Sequence, residues 1–268
     1  MPELPEVETM ARDLEKKILG LRIKEVEVSD AMVVRSSSPK NFIRNLENKK
    51  IIGSGRRGKA IILKLFPKGF LIIQPVMTGQ VIYGTKEPKA RVIFALSNGQ
   101  YLNYNDQRRF GRLNYIEDLS AFKYFKALGL EPLDKEFSCA WFLERLKQKA
   151  IPIKTLLMNQ AFLSGIGNIY ASEILFRSKI NPRREAKALT PAEIRVLYQT
   201  TLKVLKEAIL LRGSSVNTYR DLNGRKGKFI NRLKVYGRDG QACLSCRQPI
   251  ERIVQSGRST FFCRICQS

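Results

Sequence analysis

Histidine is absent from the sequence of 268 residues. Its absence excludes an imidazole general base, a Ser–His–Asp triad and any metal site that needs a histidine ligand. Long apolar runs are also missing, since no uncharged stretch approaches the about 18 residues that a transmembrane helix requires. The N-terminus is acidic and lacks the apolar segment of a secretory signal. We therefore expect a cytoplasmic protein that is not associated with a membrane.

Acidic residues are scarce beside basic ones, with 24 Asp and Glu against 48 Lys and Arg and a formal net charge of +24. Such an excess indicates a polyanionic partner, because Lys and Arg bind by neutralising phosphates. The simpler alternative is a surface charge that only keeps the protein in solution. Hydrophobic residues make up 44% of the chain, which is enough for a substantial core.

The order of apolar patterns along the chain predicts an α+β fold of two domains. Residues 5–19 have the spacing of an amphipathic helix, and apolar runs separated by turn residues follow it. We expect strands at 23–28, 60–66, 70–75, 91–96 and 100–105. The first domain, residues 1–131, is therefore an N-terminal helix plus a β-sandwich.

The second domain, residues 132–268, has helical spacing and ends in a ribbon at 235–268. We expect helices at 140–149, 153–160, 168–179 and 190–211. The glycine turn at 161–167 predicts a helix-turn-helix in which Asn168 caps the second helix. Free amides at a helix start suit a phosphate, although a turn of this kind is often only a turn.

Four of the five cysteines form two C-x2-C pairs separated by sixteen residues: Cys243, Cys246, Cys263 and Cys266. This spacing is typical of a structural zinc site, because two knuckles supply the four thiolates of one tetrahedron. The residues between the pairs alternate like a hairpin with Ser256 and Gly257 at its turn. We therefore expect a zinc ribbon that binds one structural Zn²⁺. The alternatives are two disulfides or free thiols.

Several segments together resemble one known family. They read PELPEVET at 2–9, DQRRFG at 106–111, GIGNIYASE at 165–173 and VYGR at 235–238, followed by the four cysteines. In this order they are similar to the formamidopyrimidine-DNA glycosylases, bacterial enzymes that remove oxidised purines. The resemblance implies a bifunctional DNA glycosylase and AP lyase that acts as a monomer on damaged double-stranded DNA lying between the two domains.

The resemblance also implies a catalytic set. Once Met1 is removed, the secondary amine of Pro2 attacks C1′ of the damaged nucleoside, and the resulting Schiff base leads to β and δ elimination. An α-amino group titrates near pH 8 and is partly unprotonated at neutral pH. Glu3 is the candidate general acid and base, Glu6 orients the pair, and Lys59 lies beside the lesion phosphate.

The same resemblance assigns DNA-binding residues. It implies that Asn168 and Arg258 hold phosphates around the lesion. Met77, Arg108 and Phe110 match residues that fill the space left by an everted base, where lost stacking must be replaced. For Met77 and Phe110 the residues alone would favour ordinary core packing.

Two segments depart from the family pattern. Gln-Pro-Val stands at 74–76 in place of His-Leu-Gly, and Ser-Ser-Val-Asn-Thr-Tyr at 214–219 lacks the family's Arg and Asp. These departures leave the preferred lesion open among 8-oxoguanine, formamidopyrimidines and hydantoins. Two alternative functions also stay open: an endonuclease VIII-like glycosylase for oxidised pyrimidines or hydantoins, and a non-catalytic zinc-ribbon protein that binds nucleic acid.

Overall fold

The computed structural model describes residues 2–35, 37–216 and 218–268. It consists of two compact units, each made of two stretches of chain: Met1–Lys126 with Ile209–Ile230, and Ala127–Ala208 with Asn231–Ser268. The domain boundary that we expect from the sequence assigns 209–230 to the second domain. In the structure this segment packs with the first unit, because Tyr219 and Leu222 belong to its hydrophobic core.

The first unit begins with helix α1, Leu4–Ile18, which confirms the helix predicted at 5–19. Val7, Met10 and Leu14 are fully buried, and this spacing gives the helix one apolar face. Gly20, at φ +84°, follows the helix in the left-handed conformation that glycine adopts at low cost. A second helix, α2, covers Pro39–Leu46, and a short one, α3, covers Lys123–Lys126.

Two antiparallel sheets form the rest of the first unit. The strands are β1 Ile23–Val28, β2 Lys50–Arg57, β3 Ala60–Phe66, β4 Phe70–Gln74, β5 Gly79–Gly84, β6 Val92–Leu96, β7 Tyr101–Asp106 and β8 Arg112–Ile116. They are ordered β1-β6-β7-β5 in one sheet and β2-β3-β4-β8 in the other. Residues of both sheets share one core, to which Phe94 and Tyr104 contribute from the first and Leu63 and Ile73 from the second. The predicted β-sandwich is therefore confirmed.

The second unit is mainly helical. Its helices are α4 Cys139–Lys147, α5 Ile153–Met158, α6 Asn168–Arg177 and α7 Pro191–Leu210, the last of which ends in the first unit. They confirm the predicted helices, with ends that differ by one or two residues. Strands β9 Glu251–Gln255 and β10 Arg258–Phe262 pair as the predicted ribbon hairpin. In the part of the chain that the structure describes, no helix is long and apolar enough to cross a membrane.

Candidate active site and nucleic-acid interface

Residues 2–6 form the N-terminal turn, which consists of the buried cap and first turn of α1 with the extended Glu3 as N-cap residue. Pro2, Glu3 and Glu6 are all buried, and Glu6 has no exposed surface. The Glu6 carboxylate accepts a hydrogen bond from the Glu3 backbone N–H at 2.8 Å and another from the Ser214 backbone N–H at 2.6 Å. The same side chain therefore fixes the N-terminal turn and a segment more than 200 residues later. Met1 lies outside the described residues.

Gly213 allows this close approach. Its φ is +77°, and a Cβ at this position would lie 2.7 Å from Glu6 Oε1 and 2.8 Å from Glu6 Cγ. Any other residue would meet the carboxylate and would also strain the backbone. No local pattern predicts a role for this glycine, because its partner is distant in the sequence.

Arg212 fixes the same segment from the other side. Its guanidinium binds the Asp13 carboxylate on α1, and it also contacts Asp221 Oδ2 at 2.7 and 3.0 Å. The hydrogen bonds that Arg212 donates to Asp13 and Asp221 raise the pKa of Arg212 against the opposing effect of burial. Asp221 is buried, so this ion cluster holds the segment against α1. Asn217, where the family pattern has arginine, lies outside the described residues.

Lys59 lies in the turn between β2 and β3, directly after Gly58. The neighbouring Arg56 donates to Glu8 on α1 at 2.9 Å and to the carbonyl of Gly58 at 3.0 Å. Burial acts to raise the pKa of Glu8, but hydrogen bonds from Arg56 and Arg12 outweigh it and the pKa is lowered. The ion pair therefore ties the turn that carries Lys59 to the helix that follows Pro2.

The structure brings Met77, Arg108 and Phe110 together on two neighbouring loops. Arg108 Nη1 lies 3.5 Å from Met77 Sδ, and its guanidinium stacks 4.6 Å from the centre of the Phe110 ring. Phe110 is 46% exposed, so core packing is wrong for this residue. Pro75 comes directly after β4, and Val76 has a φ of +53°. Exposed apolar and cationic groups side by side suit insertion into a base stack.

Asn168 and Arg258 both belong to the second unit. Asn168 is the first residue of α6, and Gly167 is the cap, so the predicted capping role of Asn168 is wrong. Its side chain is engaged elsewhere: Nδ2 donates to the Ser259 carbonyl at 2.9 Å, and Oδ1 accepts from Lys154 Nζ at 2.6 Å. Asn168 is therefore joined to the strand that begins with Arg258.

Lys154 is a site residue that the sequence analysis missed. It is 1% exposed, and its ammonium also donates to Thr260 Oγ1 at 2.7 Å. A cavity of about 330 Å³ lies between Lys154 and the exposed Arg258. A lysine inside the apolar run at 153–157 was the available signal, because a buried ammonium needs a reason to be there.

The four ribbon cysteines form a cluster that fits one zinc ion. The Sγ atoms lie within 4.8 Å of one another, with Cys243 and Cys266 at 3.9 Å and Cys246 and Cys263 at 3.4 Å. Tetrahedral Zn–S bonds of about 2.3 Å place the sulfurs about 3.8 Å apart. Both Sγ–Sγ distances are far longer than the about 2.05 Å of a disulfide bond, so the disulfide alternative is wrong. Four protein ligands leave no open position, and a zinc bound here is structural.

Glu173 links this ribbon to α6. Its buried carboxylate accepts hydrogen bonds of 2.9 to 3.0 Å from the backbone N–H groups of Lys234, Val235 and Tyr236. Burial raises the pKa of Glu173, and these hydrogen bonds act in the opposite direction. The start of the ribbon is thereby attached to the helix that starts with Asn168.

A helix-turn-helix joined to a four-cysteine ribbon defines a zinc-ribbon protein of the nucleic-acid-binding kind. Models of known families match in three places: the formamidopyrimidine-DNA glycosylase N-terminal domain at residues 1–113, its H2TH domain at 128–220, and the zinc finger found in FPG and IleRS at 240–268. The formamidopyrimidine-DNA glycosylase of Pelotomaculum thermopropionicum is 41% identical over 273 residues, which cover 100% of this chain and 99% of that protein. The chain therefore belongs to the formamidopyrimidine-DNA glycosylase family.

Solved structures agree with this assignment. The MutM (Fpg) protein of Thermus thermophilus is 38% identical with a TM-score of 0.90, over 99% of this chain and 98% of that one. Lactococcus lactis Fpg in complex with DNA containing an abasic site is 36% identical with a TM-score of 0.92, over 99% of both chains. The family resemblance inferred from the sequence is confirmed.

Proposed function

We propose that this protein is a bifunctional DNA glycosylase and AP lyase of base-excision repair that excises oxidised purines from double-stranded DNA. The observation that carries the proposal is the buried N-terminal turn, in which Glu6 fixes the backbone beside Pro2. Family membership supports the same substrate class, since the Lactococcus lactis relative was crystallised with DNA containing Fapy-dG and with DNA containing an abasic site.

Pro2 is the proposed nucleophile. After removal of Met1, its amine forms a bond to C1′ of the damaged nucleoside while the glycosidic bond breaks and the base leaves with the bonding electrons. Glu3 gives a proton to the sugar oxygen O4′ as the ring opens and the imine forms. Removal of a proton from C2′ by a base then expels the 3′ phosphate in the β elimination, and removal of a proton from C4′ expels the 5′ phosphate in the δ elimination.

The remaining proposed residues act on the DNA rather than on the bond that breaks. Lys59, Asn168 and Arg258 bind phosphates around the lesion, which positions the strand without reading its sequence. Met77, Arg108 and Phe110 occupy the space that the everted base leaves. Lys154 holds the Asn168 side chain in place through a hydrogen bond to its Oδ1. The family resemblance supports a monomer, and DNA as substrate supports a cytoplasmic, nucleoid-associated location.

Trapping with borohydride tests this mechanism directly. Borohydride should reduce the imine and leave a covalent complex with lesion-bearing DNA, and peptide mapping should assign the adduct to Pro2. A variant that keeps one extra residue before Pro2 has no free proline amine, so it should bind abasic DNA without forming the complex. Glu3→Gln should bind the lesion but fail to excise it.

Two results would contradict the mechanism: an adduct mapped to Lys59, or full lyase activity in the blocked variant. A wild-type protein that binds lesion DNA but never forms an imine would favour the non-catalytic alternative. A panel of duplexes that each contain one lesion separates oxidised purines from oxidised pyrimidines and hydantoins.

A further inference from the structure

The loops that carry the proposed wedge residues run side by side from one sheet to the other. Residues 75–78 connect β4 to β5, and residues 107–111 connect β7 to β8. At one end Gly79 pairs with Asp106 between β5 and β7, and at the other end Gln74 pairs with Arg112 between β4 and β8. We call residues 75–78 and 107–111 the wedge loops.

The Asp106 carboxylate joins the two wedge loops. Its Oδ1 accepts a hydrogen bond from Thr78 Oγ1 at 2.5 Å, and its Oδ2 accepts one from the Gly111 backbone N–H at 2.6 Å. Thr78 Oγ1 in turn accepts a hydrogen bond from the Arg108 backbone N–H at 3.1 Å. Asp106 is 2% exposed. The Thr78 hydroxyl thus joins the two wedge loops, because it accepts a hydrogen bond from Arg108 and donates one to Asp106.

Tyr104 packs behind this junction. Its hydroxyl lies 3.4 Å from Asp106 Oδ2, and burial together with the Asp106 charge raises the pKa of Tyr104. The tyrosine therefore remains a protonated donor to the carboxylate. A Cβ on Gly111 would lie 1.6 Å from Tyr104 Oη. The junction leaves the loops no room to shift toward the sheets.

We propose that Thr78 and Asp106 are positioning residues that lock the wedge loops together, so that Met77, Arg108 and Phe110 enter the DNA as one preformed unit. This rests on the proposed function only in that the unit inserts beside an everted base. Everting a base costs the free energy of its stacking and pairing. A wedge whose side chains are already ordered adds no entropic cost of ordering to that free energy. Arg108 contacts both Met77 and Phe110, so the three side chains already form one unit.

Thr78→Val tests the proposal, because valine keeps the shape of threonine and removes the hydroxyl. The Arg108 N–H then loses its acceptor and Asp106 Oδ1 loses its donor. We expect single-turnover excision of 8-oxoguanine or formamidopyrimidine from a duplex to fall about tenfold, as two lost hydrogen bonds would suggest. Thr78→Ser restores the hydroxyl and should restore the rate.

Two further measurements separate positioning from general damage. Cleavage of a preformed abasic site needs no base eversion, so Thr78→Val should change it by less than about twofold. Thr200→Val makes the same chemical change at a half-buried position on α7 and should leave excision and melting temperature as in the wild type. The fluorescence of 2-aminopurine placed opposite the lesion reports insertion of the wedge residues. It should rise less when Thr78→Val binds the duplex than when the wild-type protein binds it.

The outcomes are distinct. Wild-type excision and wild-type fluorescence in Thr78→Val would overturn the proposal, as would equal losses of excision and abasic-site cleavage together with a lower melting temperature. The fluorescence signal does not require strand cleavage. It therefore decides the proposal even if the wild-type protein proves to have no glycosylase activity.

Discussion

Replacing Glu6 with glutamine should separate the N-terminal turn from the segment that it holds. Both carboxylate oxygens accept backbone N–H bonds, from Glu3 at 2.8 Å and Ser214 at 2.6 Å, in a fully buried site. Glutamine offers one oxygen and one NH₂ group, so one N–H would face another donor. Hydrogen bonds to charged groups contribute about 1.5–3 kcal/mol, and leaving a buried donor unpaired costs a similar amount. We expect a loss of about 2–3 kcal/mol in the free energy of unfolding.

That loss corresponds to a fall of about 5–10 °C in the melting temperature of the first unit. The rate of borohydride trapping on abasic DNA should fall at least about tenfold, because a misplaced amine loses the oriented attack on C1′. Glu117→Gln is a matched control: Glu117 forms an exposed ion pair with Lys68 at 2.9 Å, and such pairs contribute little. Wild-type melting and trapping in Glu6→Gln would refute the reasoning. Lower stability with an unchanged trapping rate would leave Glu6 a structural role only.

Further variants test the remaining parts of the site. Cys246→Ala should lose the zinc, measured as metal per chain, and weaken binding to DNA while the first unit keeps its melting transition. Phe110→Ala should lower lesion excision more than binding to undamaged duplex, because the phosphate contacts persist. Hydrogen bonds from Arg184 lower the pKa of Glu193 to about 2, so its stabilisation is complete above the ordinary value of 4.5 and is lost as the pH falls toward 2. The difference in unfolding free energy between wild type and Glu193→Gln, measured with urea, should shrink over that interval.

Much of the fold could be predicted because it depends on local patterns. The helices follow apolar spacing, and the hairpins at Asn98-Gly99 and Ser256-Gly257 follow turn residues that join β6 to β7 and β9 to β10. The strands that the sequence analysis missed, β2, β5 and β8, all lie at the edges of their sheets. An edge strand has no partner strand along one of its edges. In such strands apolar and polar residues alternate less regularly, as in β2 with Gly53 and Gly55.

The candidate site was predictable only where one motif contains the residue. The zinc ligands follow from cysteine spacing alone, whereas Pro2, Glu3 and Glu6 required the family resemblance. The contact of Glu6 with Ser214 joins residues 208 positions apart, and no local pattern predicts it. The role of Asp106 was missed for the same reason, since its partners come from other elements. Lys154 differs, because a lysine among apolar residues was a local signal.

The route of the chain through the first unit has a consequence for biosynthesis. Residues 209–230 supply Ser214 to the N-terminal turn and Leu222 to the core, although they follow almost all of the second unit. A ribosome therefore releases the N-terminal proline long before the segment that completes its surroundings, and the first unit remains unfinished while most of the second is made. A fragment that stops at Lys126 would lack those partners and expose part of its core. The surroundings of the proposed nucleophile are thus completed late, when nearly the whole protein has been synthesised.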